Sequence, residues 1–325
     1  MKLLFDEVGT RASTEMKELL GFIDVDLKFS NLKPDVRTAT GEVIDFVGRE
    51  VYDIASAKYA TGNLSAVDKE LVYMLRYPIA INAYYLYAPS NDLRHTNNGR
   101  KMNQDDHQKV PFQWMLDSDN ASLEKRYYRA LDDLIKYLDT ADNSNVNKAW
   151  KESDTYKTTH NLFVRTTAEF DRYFMIKSKY LLLKLAPGLE DCEQFEIKPR
   201  IGKTLFDELK TKLKANAVID DVKRLELLRL IKKATVLYSM AWAMPRLSVN
   251  LYPEGVLQHV TSDKATTRGA KPSLKSETEA ARQAFMSDAN RVFLEIETLV
   301  APEPTIEQST FTLPKTIYGD KFLST

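Results

Sequence analysis

The chain carries one plan twice, and nothing else in the sequence constrains its fold as strongly. Val47-Gly48-Arg49-Glu50-Val51-Tyr52-Asp53 is answered 154 residues later by Ile201-Gly202-Lys203-Thr204-Leu205-Phe206-Asp207. Every pair except Glu50 and Thr204 is identical or chemically close. The same offset sets Leu71 against Leu225, Ala80 against Ala234 and Tyr84 against Tyr238. Upstream, Leu32-Lys33-Pro34 is matched to Ile197-Lys198-Pro199 at a different spacing, which an insertion would explain. A second series, offset by 158, sets Tyr127, Leu131, Leu134 and Leu138 against Phe285, Ala289, Val292 and Ile296. Both steps run four, three and four residues, which places each set along one helix face. Amphipathic helices share apolar spacing without common descent, but that does not account for the paired Lys-Pro and Gly-Arg/Lys signals. The ordered series predicts a tandem duplication.

The expected fold is therefore mainly α: two related helical-bundle modules, at 1–140 and 161–300, a linker at 141–160, and an extended C-terminal arm at 301–325. Eleven glycines and twelve prolines are few for 325 residues, and the abundant leucine, lysine, alanine and glutamate favour helices. In the first module, helices are predicted near 13–20, over 34–59 as one helix or a pair, over 65–87 with a kink at Pro78, and over 111–139. Lys-Pro should hold the preceding residue extended and open a helix, at Pro34 and again at Pro199. Gly48 and Gly202, together with Tyr52, Asp53, Phe206 and Asp207, mark a close backbone approach or a helix junction. The second module repeats the order: helix over 161–185 up to a break at Pro187-Gly188, then 199–214, 220–250 interrupted at Pro245, and 275–300. Between the long helix and the closing helix each module has an excursion, at 88–110 and 251–274, expected as a long loop or a β-hairpin.

Charge excludes some partners. Forty-six basic residues balance forty-six acidic ones, so no global field draws in nucleic acid or anionic lipid. Cys192 is the single cysteine, which rules out an intrachain disulfide and any multi-cysteine metal site. Apolar runs such as 180–183 are too short to cross a bilayer, and Asp6 and Glu7 interrupt the apolar start at Met1. The expected compartment is reducing and cytosolic, or a particle assembled there.

No catalytic motif appears. GxSxG, a Walker-type loop, GxGxxG and HExxH are all lacking, so no catalytic, cofactor-binding or metal-binding residues are assigned. His95, His107, His160 and His259 read as surface or hydrogen-bonded histidines, and the pairs Asp105-Asp106, Asp132-Asp133 and Asp220-Asp221 as solvated acids. Tyr73, Tyr77, Tyr84, Tyr85 and Tyr87 suit packing within the module or an interface.

The excursions are the candidate contacts. Each exceeds twenty residues, uncommon between helices unless it serves a function. Arg94, His95, Arg100 and Lys101 mark the first, and Lys264, Arg268 and Lys271 the second. The alternation around Phe311 and Leu313 suits a strand added to a neighbour's sheet edge.

The order Lys-Pro, Gly-Arg/Lys-x-Val/Leu-Tyr/Phe-Asp, long alanine-rich helix resembles head–tail connector proteins of tailed phages. More closely, the chain resembles an uncharacterised family from phages and prophages of Bacteroides-type bacteria. Val110-Pro111-Phe112-Gln113-Trp114, followed by the helix bearing Arg129-Ala130-Leu131-Asp132-Asp133-Leu134, is similar to that family's most recognisable stretch. The similarity spans about residues 29–300. It implies a structural adaptor without catalytic residues, forming a ring between portal and tail in the virion neck. The ring would assemble in the host bacterial cytoplasm, enclose the path of genomic DNA and need no membrane. Duplication leaves twelve subunits, or six presenting twelve modules. Alternatives are another minor head or tail-completion protein, or a DNA-associated helical protein.

Overall fold

The computed structural model describes residues 2–6, 11–23, 27–96, 99–102, 111–140, 144–247, 250–252, 255–257 and 275–301. They are mainly helical and form two tandem modules. The first contains α1 (Arg11–Leu20), α2 (Phe29–Val47), α3 (Arg49–Thr61) and the long α4 (Ala66–Asn91). A hairpin of β1 (Leu93–Thr96) and β2 (Gly99–Met102) follows, then α5 (Gln113–Thr140). After α6 (Ser144–Glu152) and α7 (Asp154–His160), the second module begins with α8 (Thr167–Asp171). Its next rod is continuous: α9 (Lys179–Asp191), a π-helical stretch (Cys192–Ile197) and α10 (Lys198–Ile201). Then come α11 (Lys203–Lys214), α12 (Val222–Arg246), a hairpin of β3 (Asn250–Tyr252) and β4 (Gly255–Leu257), and α13 (Lys275–Val300).

Gly48 and Gly202 are the helix junctions. Each ends one helix and begins the next, at φ 90°, ψ 147° and φ 79°, ψ 150°. That conformation is open essentially to glycine alone, so the chain turns there at minimal steric cost. In each module the long helix is the axis of the bundle. α4 packs against α1, α2, α3 and α5, and α12 against α8, α9 and α13. A helix surrounded on several sides must be apolar around much of its circumference. Accordingly Ile79, Ala80, Ile81 and Ala83 are all buried, as are Ala234, Thr235, Val236 and Leu237. Pro78 lies inside an unbroken α4, and α12 ends one residue past Pro245.

Burial fixes the equivalence better than sequence identity does. Along the long helices the matching offset is 156, not 154: Leu71, Leu75, Ile79 and Pro89 correspond to Leu227, Ile231, Thr235 and Pro245. The earlier pairing of Leu71 with Leu225 fails because Leu71 is 1% exposed and Leu225 47%. In the closing helices the offset of 158 holds: Leu131, Leu134 and Leu138 are buried, and so are Ala289, Val292 and Ile296. Along the first rod, Phe29, Leu32, Val36 and Ala39 correspond to Leu182, Leu185, Leu189 and Cys192 at an offset of 153, and Val43 and Val47 to Ile197 and Ile201 at 154. The extra residue is taken up by the π-helical stretch, the usual consequence of an insertion into a helix.

Several expectations are corrected. Pro34 and Pro199 are not equivalent and neither follows an extended residue. Pro34 lies inside α2, whereas Pro199 lies in α10, directly after the π stretch and near the end of the rod. Where π-type bonds already loosen the i→i−4 ladder, the missing proline N–H costs little. The expected linker at 141–160 is helical from Ser144 to His160 apart from Ser153, and buries Val146, Ala149 and Trp150 in the first module's core. The expected helix over 161–185 is reversed: only α8 is helical before Lys179, and α9 runs through Pro187 and Gly188. Gly188 is there for contact, not termination. A Cβ at that position would meet the Trp242 ring at 2.9 Å, so its absence lets α9 approach α12.

The repeat extends upstream of the helices. Leu3, Leu4 and Phe5 are buried, as are Leu162, Phe163 and Val164. The next backbone N–H in each case, of Asp6 or Arg165, donates to a glutamate, Glu15 (3.3 Å) or Glu169 (2.7 Å). Each glutamate is paired with a cation on the axial helix: Arg76 at 2.8 Å and Lys232 at 2.5 Å. The excursions are β-hairpins in their described parts, and the C-terminal arm at 302–325 lies outside the described residues.

Candidate functional site

The two modules meet where α5 and the end of α2 receive the start of α9. Ser178 is the N-cap of α9, its hydroxyl accepting from the Leu181 N–H at 3.0 Å. Asp132 on α5 completes the cap, accepting from the Ser178 hydroxyl (3.1 Å) and the Tyr180 N–H (2.7 Å). A carboxylate here also complements the partial positive charge of the helix N-terminus. Tyr180 lies over Tyr128 at 5.3 Å and near Phe46 at 5.9 Å, and the Lys184 ammonium sits over both tyrosines. Lys179 forms an ion pair with Asp139, which also accepts from the Trp150 indole N–H at 2.9 Å. Asp132 is thus a structural acceptor, not a solvated acid.

Beside this seat lies a crevice lined by Asp139, Trp150, Tyr156, His160, Arg165 and Lys179. It offers roughly 50 Å³, room for a few waters, whereas small-molecule sites run to about 300–1,000 Å³. The His160 ring stacks on Tyr156 at 3.5 Å, and its Nδ1 is 3.0 Å from the Tyr156 carbonyl. A carbonyl only accepts, which assigns the proton to Nδ1. Burial holds its pKa below the ordinary histidine value. Among the described residues no carboxylate bonds the ring, and Asp139 is occupied by Trp150 and Lys179, so His160 and Asp139 do not form a His–Asp dyad. The arrangement is suited to fixing the module junction.

A second charged cluster holds the chain's entry into module 2. Glu193, 1% exposed at the start of the π stretch, accepts from the Phe163 N–H at 2.5 Å and pairs with Lys210. Lys210 also donates to the Asn161 carbonyl at 2.6 Å and lies over the Phe163 ring at 4.3 Å. Burial raises the Glu193 pKa against the opposing pull of Lys210, and burial likewise lowers that of Lys210. The first module has Thr40 and Ser56 at the equivalent places, and there the Tyr52 hydroxyl donates to the Lys2 carbonyl at 2.8 Å. Cys192 is buried, and burial drives its thiol pKa far up.

Of the residues singled out in the sequence, Arg94, His95, Arg100 and Lys101 come together on the first hairpin, where Arg94 is registered with Lys101 and His95 with Arg100. Lys264, Arg268, Lys271, Phe311, Leu313, His107 and His259 lie outside the described residues. Tyr77, Tyr84 and Tyr87 pack against the core, while Tyr73 stacks on Tyr77. Sequence reasoning missed the seat made by Asp132, Ser178 and Tyr180. Its signal was Ser178 standing before an apolar helical run, an N-cap pattern. Glu193 and Lys210 had no local signal. Among the described residues no three His, Cys, Asp or Glu side chains are grouped to hold a metal, and no helix is long and apolar enough to cross a membrane.

No curated protein and no solved structure matches the chain. One family model does, described as "Family of unknown function (DUF6712)", over residues 43–160 and 197–304. The two segments begin 154 residues apart, at the structurally equivalent Val43 and Ile197, and together cover well over half of the sequence. The chain belongs to the DUF6712 family.

Proposed function

We propose that this protein is a structural component of a tailed-phage virion, a head–tail connector whose copies form a ring between portal and tail. The observation that carries the reading is the repeated module itself, with a hairpin set between axial and closing helix in both copies. A hairpin at that place in both modules is suited to reaching a neighbouring subunit or a portal. The first hairpin concentrates Arg94, His95, Arg100 and Lys101 on two paired strands, giving it a cationic character suited to an acidic partner or to DNA passing through the ring. The similarity to connector proteins over about residues 29–300 supplies the biological setting: portal and other neck or tail proteins as partners, twelve or six copies, and assembly in the host cytoplasm.

Co-expression with the cognate portal protein, followed by mass photometry and negative-stain imaging, tests this. A ring of the chain stacked on the portal is expected. A persistent monomer that docks on neither portal nor tail complexes overturns the reading.

A further inference from the structure

The closing helices α5 and α13 are equivalent in register, yet among the described residues only α5 has its outer face covered. On α5 that face carries Tyr128 and Asp132, which seat the start of α9. At the offset of 158 fixed by the buried positions, Tyr128 corresponds to Met286 and Asp132 to Asn290. Met286 and Asn290 line an open groove on the outer face of α13, together with Arg282, Arg291 and Leu294. Leu294 is 63% exposed there, in the last two turns of α13. Asn290 offers a side-chain oxygen where Asp132 caps α9, and asparagine is as good a helix-capping acceptor as aspartate. The chain therefore repeats its module and also repeats the seat on which the next module rests.

From this geometry we infer that the groove on α13 receives the first module of a second copy, which lays the start of its α2 against Met286 and Asn290 as α9 lies against Tyr128 and Asp132, with Leu294 further along the same groove. The occupant follows from continuity with the junction inside the chain. At the offset of 153 along the first rod, Leu183, which packs against the first module's core, and Lys184, which lies over Tyr128, correspond to Ser30 and Asn31 of α2, and both of the latter are exposed. A contact that joins the end of one copy to the start of the next is heterologous, and such contacts close into rings or run on as filaments. This deepens the ring reading by naming the joining surface, and takes its biological setting from that reading.

Cross-linking of the full-length chain tests the contact directly. Lys184 reaches Tyr128 within the chain, with the ammonium 5.3 Å from the ring centre; the equivalent pair across copies is Asn31 and Met286. In a variant with Asn31→Cys and Met286→Cys, a short bismaleimide should give a ladder of dimers, trimers and higher species. Either substitution alone should give none, because a head-to-tail contact never brings two like positions together. Cys192 is buried and stays silent. Adding Leu294→Glu to the double variant should reduce the ladder at least tenfold, with an unchanged circular-dichroism spectrum showing that the fold is kept. A band at monomer mass alone, a ladder of equal strength in a single variant, or a ladder indifferent to Leu294→Glu overturns the inference. If the ladder is missing while the chain still rings a portal, this surface is wrong and the connector reading stands. A ladder without portal docking leaves the surface and removes the connector.

Discussion

Replacing Lys210 by methionine isolates the energetics of the buried pair at the entry to module 2. Glu193 is 1% exposed and keeps only the Phe163 N–H once the ammonium is gone. Methionine keeps a chain of similar length beside Phe163 and Phe206 while removing the ammonium that lies over both rings, so the loss reports on charge. Removing one partner of a buried pair costs about 3–5 kcal/mol, because the remaining charge is stranded. Neutralising both, with Glu193→Gln and Lys210→Met, should cost about 1 kcal/mol or less, since neither charge then needs desolvating. The single variant should therefore be less stable than the double by about 2–4 kcal/mol. The sign of the pH dependence follows from Glu193. Its folded pKa is already raised by burial, and losing Lys210 raises it further. Its destabilising contribution therefore grows as pH rises through the ordinary carboxylate value and on towards the folded one. The Lys210→Met penalty should be larger at about pH 7 than at about pH 5. Two modules need not unfold together, so the suitable assay is native-state hydrogen exchange followed in peptides from α11 and the π stretch. A single variant no less stable than the double, or a penalty independent of pH, would refute the reasoning.

The helix junctions give a paired test. Gly48→Ala and Gly202→Ala both force a side chain into a glycine-only conformation, at about 1–3 kcal/mol each. Gly48→Ala should cost more in thermal melts, because its Cβ would also meet Ser153 at 3.2 Å while nothing lies within 4 Å at Gly202. Gly188→Ala drives a methyl into Trp242, and an overpacking loss of about 1–3 kcal/mol is expected, with a changed tryptophan emission. The pKa of His160 is lowered on folding, so the stability it contributes is complete above the unfolded histidine value and declines as pH falls through about 6.5 towards the folded value. His160→Gln should flatten that part of the acid limb, and an unaltered limb would show that another group sets it.

How much was legible in the sequence depended on whether the signal was local. The glycine junctions were legible because one residue type suffices for that backbone, and the closing helices because four apolar side chains repeat at helical spacing. Pro187-Gly188 misled because a break and a close approach have the same local sequence; only Trp242, fifty-four residues away, separates them. The supposed linker misled for a similar reason. Asp, Asn and Ser near 142–147 signal a turn, but Trp150 and Val146 behind them pack into the core and give α6 a reason to form. The Lys-Pro match was a coincidence of dipeptides: along the rod, at the offset of 153, Pro34 corresponds to Pro187 and not to Pro199. The module seat was invisible because Asp132 and Ser178 meet only after two helices are placed.

The way each module holds its own entry segment explains why the copies diverged where they did. In both, the carbonyl just before a buried apolar triplet accepts from inside the module: Lys2 from the Tyr52 hydroxyl, Asn161 from the Lys210 ammonium. In both, the N–H just after the triplet donates to a glutamate paired with the axial helix. The repeating unit is therefore the entry segment with its clamp plus the helices that follow, and it begins upstream of the 43 and 197 where the family match starts. Module 1 manages its entry with a neutral phenol. Module 2 uses a lysine, and a buried ammonium has to be matched, which Glu193 does from the place that Thr40 holds in module 1. The same logic bears on the seats: Asp132 pairs with a fixed intrachain partner, whereas under the proposed contact between copies the neutral Asn290 would leave no charge stranded before assembly.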